Sequence, residues 1–124
     1  MKKLLVVGGT GFIGYHVIKE AKKRGWKITS ISLRKPNKKR FHKGVDYKQV
    51  DITNFDSLKK KININYDFVV NAGGYGRHPN FNREGEKLFN AHFLGTINLI
   101  KILLKKKIKR FIQIGSSAEY GKEK

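Results

Sequence analysis

The stretch KLLVVGGTGFIGYHVIKEAKKRG, residues 3–25, decides the fold. It opens with an apolar run, continues through glycines at a spacing of three, and ends in apolar residues at helical spacing that stop at Gly25. Gly8, Gly11 and Gly14 therefore stand where a predicted strand turns into a predicted helix. Glycines in that position permit a tight turn, close approach of the backbone to a pyrophosphate, and close packing of the helix on the strand. The stretch predicts a dinucleotide-binding turn, and a tight turn without a ligand is the alternative.

The rest of the chain alternates between short apolar runs and amphipathic stretches. Besides residues 3–7, the predicted strands are residues 27–33, 46–50, 68–71 and 110–114, and four of the five are rich in Val and Ile and expected to be buried. The first predicted helix is expected to bury one apolar face, made of Phe12, Ile13, Val17, Ile18 and Ala21. A second helix is predicted to begin near Asn54 and a third to run from about Asn82 to Lys107. The alternation predicts an α/β fold in which a doubly wound parallel sheet carries helices on both faces.

Composition narrows the class of protein. The 124 residues fit a single domain, and the absence of cysteine excludes disulfides and thiolate metal sites and favours a reducing, cytoplasmic location. The four histidines show no paired ligand spacing, so no metal is expected. No apolar stretch reaches the length of a signal peptide or a membrane span, so no membrane association is expected.

The formal charge of +19 raises nucleic acid as a partner. The lysine-rich runs, however, close amphipathic stretches, where cations complement the negative end of a helix dipole. They are Lys22-Lys23-Arg24, Lys59-Lys60-Lys61 and Lys105-Lys106-Lys107. We therefore expect solvated helix ends rather than a nucleic-acid surface.

Five segments in register resemble the extended short-chain dehydrogenase/reductase family, which includes nucleotide-sugar epimerases, dehydratases and reductases. They are GGTGFIG (8–14), VDITN (50–54), DFVVNAGG (67–74), GTINLI (95–100) and RFIQIGSSAEYG (110–121). The resemblance spans the whole chain and implies a Rossmann-type, three-layer fold. It also implies that residues 1–124 are the NAD(P)-binding amino-terminal part of a longer, homodimeric enzyme, with a nucleotide sugar as the substrate.

The same resemblance assigns roles to individual residues. It implies that the cofactor is bound by the glycine turn, by the segment after the third strand and by the segment after the fourth, namely Gly8, Thr10, Gly11, Phe12, Ile13, Gly14, Asp51, Ile52, Asn71, Ala72, Gly73 and Gly74. Ser116 takes the position of the catalytic serine or threonine, with Ser117 as the near alternative; the implied role is a hydrogen bond to the reacting substrate oxygen. The alternative for both serines is that they satisfy backbone groups at a strand end.

Two departures from the family pattern limit what can be expected. His92 stands where the family usually has an asparagine, and we interpret it as a packed helix residue rather than a catalytic base. The family's Tyr-x-x-x-Lys pair is expected beyond the chain, because Tyr120 and Lys124 match it by letter only: a glycine directly follows the tyrosine and makes a poor helical scaffold. The chain is therefore expected to end before the catalytic pair and to be inactive by itself.

The end of the second predicted strand bears on the choice between NAD and NADP. NAD sites use an Asp or Glu about 20 residues past the glycines, but here no acid lies between Glu20 and Asp46. The sequence offers Arg34 instead, at the start of a basic stretch that reaches Lys43. Because an arginine can hold a 2′-phosphate through paired charge-assisted hydrogen bonds, NADP is favoured over NAD.

Several functions stay open. Among the family's activities, epimerase and ketoreductase are favoured over dehydratase, because Ser117 and Ala118 occupy the places where a dehydratase usually has an acidic pair. A non-catalytic dinucleotide-sensing or interaction module of the same fold is the main alternative. GGYGRHPNF, residues 73–81, is either a substrate-contacting loop or an ordinary surface connection.

Overall fold

The computed structural model describes residues 1–73, 85–86 and 93–114. Within them lies one parallel sheet of five strands in the order β3-β2-β1-β4-β5. The strands are β1 (Lys3–Val7), β2 (Lys27–Ser32), β3 (Asp46–Gln49), β4 (Phe68–Asn71) and β5 (Arg110–Gln113). The helices are α1 (Phe12–Lys23), α2 (Phe55–Lys61) and α3 (Gly95–Leu103), with one turn of 3₁₀ helix at Lys38–Arg40. The predicted Rossmann-type α/β architecture is confirmed.

The strand order reverses at β1. Val7 pairs with Ile31 of β2 on one side and with Asn71 of β4 on the other. Successive crossovers therefore leave β1 in opposite directions, and a crevice opens beyond the carboxyl ends of β1 and β4. This crevice is the place where a ligand binds in open parallel sheets.

The core has two layers because β1 buries both of its faces. Leu4 and Val6 pack with Ile18 and Ala21 of α1. Leu5 and Val7 point to the opposite face, in a cluster completed by residues of α2, α3 and the neighbouring strands, including Leu58, Val69, Leu99 and Ile102. The polar Asn98 of α3 is also buried, and its Nδ2 donates to the carbonyl oxygens of Ile52 and Thr53 at 3.0 and 3.2 Å. This bond fixes the loop after β3 against α3.

The apolar face expected of α1 is only partly buried, because its first turn is exposed. Phe12 is 66% exposed and Ile13 is 47% exposed, whereas Ile18 and Ala21 are buried. The reason is position: α1 begins where the chain leaves the end of β1, so its first turn lies past the sheet edge and has no strand beneath it. Both side chains are exposed instead of joining the core.

The carboxyl half of the chain corrects two further expectations. The predicted third helix ends at Leu103 rather than Lys107, because Leu104 is 78% exposed and the next side chain packed against the core is Ile108. The fifth strand, expected to be buried, is an edge of the described sheet and leaves Ile112 45% exposed. The strand ends also fall one residue earlier than predicted in β2, β3 and β5.

No helix in the described part of the chain is long and apolar enough to cross a bilayer.

Asp67 joins three strands at the sheet edge opposite the crevice. Its carboxylate accepts from the Lys3 backbone N–H at 2.8 Å and lies 3.7 Å from the Lys109 ammonium, and its backbone bonds to both residues. The hydrogen bond from Lys3, supported by the charge of Lys109, lowers the pKa of Asp67 below its ordinary value of 3.8. A carboxyl group whose pKa is lowered by folding stabilises the protein above its unfolded-state pKa, and that contribution is lost as the pH falls through the folded-state value.

We therefore expect Asp67→Asn to lower the thermal midpoint at pH 7. The difference from the unmodified protein should shrink as the pH falls from above 3.8 through the lowered pKa, where both side chains are neutral. Thermal unfolding at a series of pH values measures it. Lys109→Gln is the control and should cost less, because it leaves the Lys3 hydrogen bond in place. A pH-independent gap would contradict the assignment.

Candidate functional site

The glycine turn begins at a position that only glycine can occupy. Gly8 has a φ of +85°, and its N–H donates to the Ile31 carbonyl at 2.8 Å. A Cβ at Gly8 would lie 2.7 Å from both the N and the Cα of Gly73. The turn after β1 is therefore packed directly on the backbone that follows β4.

Gly14 serves packing inside the turn. A Cβ there would overlap the Gly8 carbonyl oxygen and lie 2.7 Å from the Gly9 Cα. Its absence lets the first turn of α1 lie against the backbone that leaves β1. The sequence prediction of close helix–strand packing is thus met by direct contact between two backbone segments.

Gly11 differs from the other two. Its backbone is extended, with φ −81° and ψ 177°, so no positive φ requires glycine. A Cβ at Gly11 would meet only the Gly8 carbonyl oxygen, at an ordinary 3.5 Å, among the atoms that the structure describes. The fold therefore has room for a side chain at residue 11, and its absence keeps the crevice open at the amino end of α1.

The amino end of α1 is suited to an anion. Gly11 occupies the N-cap position and supplies no side-chain acceptor, and the first turn contains no acidic residue. The first N–H groups of a helix have no intrahelical acceptors and carry the positive end of the helix dipole. Such an end binds phosphate groups.

The crevice is a cleft of about 320 Å³ at the carboxyl ends of β1 to β4. It brings together eight of the predicted cofactor-binding residues: Gly8, Thr10, Gly11, Arg34, Asp51, Ile52, Ala72 and Gly73. Its other lining residues are Val7, Ile31, Ser32, Leu33, Val50 and Thr53. Most of these six residues were not predicted to line a site. They lie at the ends of strands next to predicted residues, and that position in the sequence would have identified them.

Asp51 is held by its own loop. One carboxylate oxygen accepts from the Thr53 N–H at 2.9 Å and from the Thr53 hydroxyl at 2.6 Å. This turn fixes the carboxylate at the end of β3, where it stays exposed beside Ile52. An acceptor so placed can bind an amino group of a ligand in the cleft.

Asn71, which the family resemblance implies as a cofactor contact, makes hydrogen bonds within the protein. It is buried, and its Nδ2 donates to the Gln113 side chain at 2.9 Å and to the Thr96 hydroxyl at 3.3 Å. Its Oδ1 accepts from the Gly73 N–H at 3.2 Å. The side chain thus fastens β4 to β5 and α3 and shapes the segment that borders the cleft.

The end of β2 carries no acid, as the sequence shows. Ser32 lines the cleft in that place, and its hydroxyl is buried with no hydrogen-bond partner among residues 1–73, 85–86 and 93–114. Arg34 lines the same cleft two residues later. A buried hydroxyl without a partner has hydrogen-bonding capacity for a ligand.

Several predicted residues lie outside the described parts of the chain. They are the cofactor residue Gly74, the catalytic candidates Ser116 and Ser117, the departure at His92, and the rejected pair Tyr120 and Lys124. In the described part there is no cluster of three or more His, Cys, Asp or Glu residues arranged to hold a metal ion.

Comparison with known proteins identifies the family. Residues 4–124 match the model of the NAD dependent epimerase/dehydratase family. The chain belongs to this family. The matched residues include all the strands and helices described above except Lys3, the first residue of β1. The match therefore includes the whole crevice.

The curated relatives are enzymes of UDP-sugars. The chain is 24% identical to the bifunctional UDP-glucose 4-epimerase and UDP-xylose 4-epimerase 1 of Pisum sativum, over 97% of this chain and 38% of that protein. It is 28% identical to the UDP-N-acetyl-alpha-D-glucosaminuronate decarboxylase of Bacillus cytotoxicus, over 98% of this chain and 38% of that protein. The chain therefore spans well under half the length of the relatives it matches.

Solved structures show the same fold. A UDP-glucose 4-epimerase superposes with a TM-score of 0.86 at 20% identity, covering 98% of this chain and 37% of that one. The Thermus thermophilus UDP-glucose 4-epimerase in complex with NAD superposes with a TM-score of 0.74 at 22% identity, covering 83% of this chain and 34% of that one. The residues present fit such a dinucleotide, because Gly11 leaves space beside the amino end of α1, which has no side-chain cap and no acidic residue in its first turn.

Two glycine substitutions separate ligand binding from folding. We expect Gly11→Ala to change the free energy of unfolding by less than about 1 kcal/mol, because its backbone is unstrained and its surroundings open. It should weaken dinucleotide binding about tenfold or more by filling the space where the pyrophosphate approaches.

Gly14→Ala is the matched control and should destabilise the fold by about 1–3 kcal/mol or more, because its Cβ meets backbone atoms that cannot move independently. Chemical unfolding and calorimetric titration with NADH and NADPH measure both variants. Unchanged dinucleotide affinity in Gly11→Ala would contradict this account of the site.

Proposed function

We propose that this chain is the cofactor-binding part of an enzyme that transfers a hydride between a nicotinamide dinucleotide and a sugar carbon of a nucleotide-diphospho-sugar. The observation that carries the proposal is the open Gly11 position beside the uncapped amino end of α1, at the crevice where the strand order reverses. The family match and the UDP-sugar relatives support the substrate class. Because those relatives are much longer than this chain, we propose that residues 1–124 form one domain of a longer enzyme.

Different residues of the chain would bind different parts of the dinucleotide. The N–H groups at the start of α1 would hold the pyrophosphate, and Asp51 and Ile52, which line the cleft, would contact the adenine. Asn71 holds the Gly73 segment in place at the same crevice. When bound, the nicotinamide supplies the hydride acceptor and donor. Ser116, or Ser117, donates a hydrogen bond to the sugar oxygen that gains or loses a proton.

We further propose that the cofactor is NADP rather than NAD. An acid at the end of β2 would repel a 2′-phosphate, and the cleft has Ser32 and Arg34 there instead. The guanidinium of Arg34 can donate two parallel hydrogen bonds to a phosphate. The Ser32 hydroxyl adds hydrogen-bonding capacity at the same position.

Arg34→Gln tests this preference. The unmodified protein should bind NADPH more tightly than NADH at physiological salt. The variant should lose about 10- to 100-fold in NADPH affinity while its NADH affinity changes little, because only NADPH carries the 2′-phosphate. Lys27→Gln removes an equal charge from the opposite end of β2 and serves as the control. Equal affinities of the unmodified protein for the two cofactors would contradict the NADP assignment.

The proposed reaction is tested with the protein expressed from its whole gene, including any codons that follow codon 124. We expect turnover of a nucleotide sugar, assayed over a panel of UDP-sugars, with epimerisation or 4-keto reduction as the outcome. Ser116→Ala should lower kcat about 100-fold by removing a hydrogen bond made in the transition state, and Ser117→Ala should have the smaller effect.

Two results would redirect the proposal. The reverse order of the two serine variants would move the catalytic role to Ser117. Tight dinucleotide binding without turnover of any nucleotide sugar would favour the sensing module instead.

We propose a homodimer in the cytoplasm for the whole enzyme. The outer side of α3 leaves Ile100 39% exposed and, just beyond the helix, Leu104 78% exposed. An apolar strip of this kind on a helix surface suits contact with a second subunit. Light scattering at high concentration tests it, and a monomer would contradict it.

A further inference from the structure

The basic segment, residues 34–43, folds back over the start of α1. Arg40 Nη1 donates to the Thr10 carbonyl at 3.4 Å. The His42 ring stacks on the Tyr15 ring at 4.3 Å, and its Nε2 lies 3.1 Å from the Tyr15 carbonyl oxygen. The Lys22 ammonium donates to the Lys43 carbonyl. Side-chain contacts along the segment thus hold it against the glycine turn and the first helix.

The backbone on both sides of Arg40 is fixed as well. Before it, the Asn37 side chain caps the 3₁₀ turn by accepting from the Arg40 N–H at 3.0 Å. After it, the His42 N–H donates to the Tyr47 hydroxyl at 2.9 Å, and the Phe41 ring stacks on Tyr47 at 5.5 Å. A side chain that starts from an anchored backbone loses less entropy when it binds a ligand.

Phe12 completes the placement of Arg40. The Arg40 guanidinium carbon lies 6.0 Å from the centre of the Phe12 ring, within the range of a cation–π contact. Phe12 is the first residue of α1 and is 66% exposed, so it contributes little to the core. The ring instead forms a platform that holds the guanidinium beside the carbonyl of Thr10, a residue that lines the cleft.

Two arginines are thereby connected to the same cleft. Arg34 lines the cleft from the end of β2, and Arg40 reaches the glycine turn at Thr10, which lines the same cleft. A guanidinium has five N–H donors, and the Thr10 carbonyl engages Arg40 through Nη1 alone. A phosphate monoester with about two negative charges matches two such forks.

We propose that Arg40 is a second specificity-determining cation, besides Arg34, for the 2′-phosphate of NADP, and that Phe12 is its positioning residue. The inference rests on the proposed function and deepens it. The pyrophosphate already has the N–H groups of α1, whereas the 2′-phosphate lies toward the end of β2, where Arg34 is found. Arg40 therefore acts on the choice of cofactor rather than on dinucleotide binding in general.

The test compares two small ligands that differ only in the 2′-phosphate, AMP and adenosine 2′,5′-bisphosphate. Calorimetric titration at fixed ionic strength should show that Arg40→Gln lowers the affinity for the bisphosphate about 10- to 100-fold and leaves that for AMP within about twofold. Arg40→Lys should recover part of the loss, because it restores the charge but not the fork. Lys39→Gln, which removes a charge from the same 3₁₀ turn, is the matched control and should change neither affinity.

Phe12→Leu gives an independent readout. It keeps the backbone N–H groups of α1 and the Arg40 charge, so it should weaken bisphosphate binding several-fold more than AMP binding. This variant also tests the proposal if Arg40→Gln fails to fold, which the thermal midpoint reports.

The possible results distinguish failure of the Arg40 proposal from failure of the proposed function. Equal losses for AMP and the bisphosphate in Arg40→Gln would assign Arg40 to the pyrophosphate or to folding and overturn the inference alone. Unchanged affinities in that variant would also overturn it alone. Failure of the unmodified protein to bind AMP, the bisphosphate, NADH or NADPH would overturn the proposed function and the inference together.

Discussion

The close approach of two backbone segments, the turn after β1 and the segment after β4, is the constraint on which the rest of the structure depends. Gly8 at a φ of +85° brings the chain so near Ala72 and Gly73 that no side chain fits between them. Gly14 then packs on Gly8, so α1 starts directly above the end of β1. The helix dipole and its unpaired N–H groups are thereby aimed at the one edge of the sheet where the strand order reverses. Without these contacts the chain would have the strands and the helix, but the amino end of α1 would not face the crevice.

The fold also places the basic residues of this chain in two regions, which differ in whether they can contact a ligand. Lys22 and Lys23 end α1, and Lys59 to Lys61 end α2, at the edge away from the crevice, where they complement helix dipoles. The basic segment instead lies beside the glycine turn and is held there by specific hydrogen bonds and ring contacts. Charge at helix ends is solvated and general, whereas charge anchored at a cleft can select a ligand. The net charge of +19 therefore says little about function until its location is known.

Most of the architecture was predictable because the signals are local. β1 and β4 have the predicted bounds, and α2 begins directly after Asn54, near which it was predicted to begin. The Asn54 side chain caps this helix by accepting from the Ser57 N–H at 3.1 Å. The errors arose where packing decides. Phe12 and Ile13 fit the apolar period of α1 but lie beyond the sheet edge, and the expected buried fifth strand is an edge strand. A hydrophobic period shows which residues share a face, but not whether another element covers that face.

The sequence by itself determined the order of strands and helices, the position of the glycine turn, and the absence of an acid after β2, because each depends on residue type and spacing along the chain. Only the tertiary structure decided what each residue contacts. It distinguished Gly11, which leaves space for a ligand, from Gly8 and Gly14, which leave space for the protein's own backbone. It showed that the Asn71 side chain donates to Gln113 of β5, and it brought Arg40 beside Thr10, thirty residues earlier. Such contacts join residues far apart in the chain, and local spacing carries no information about them.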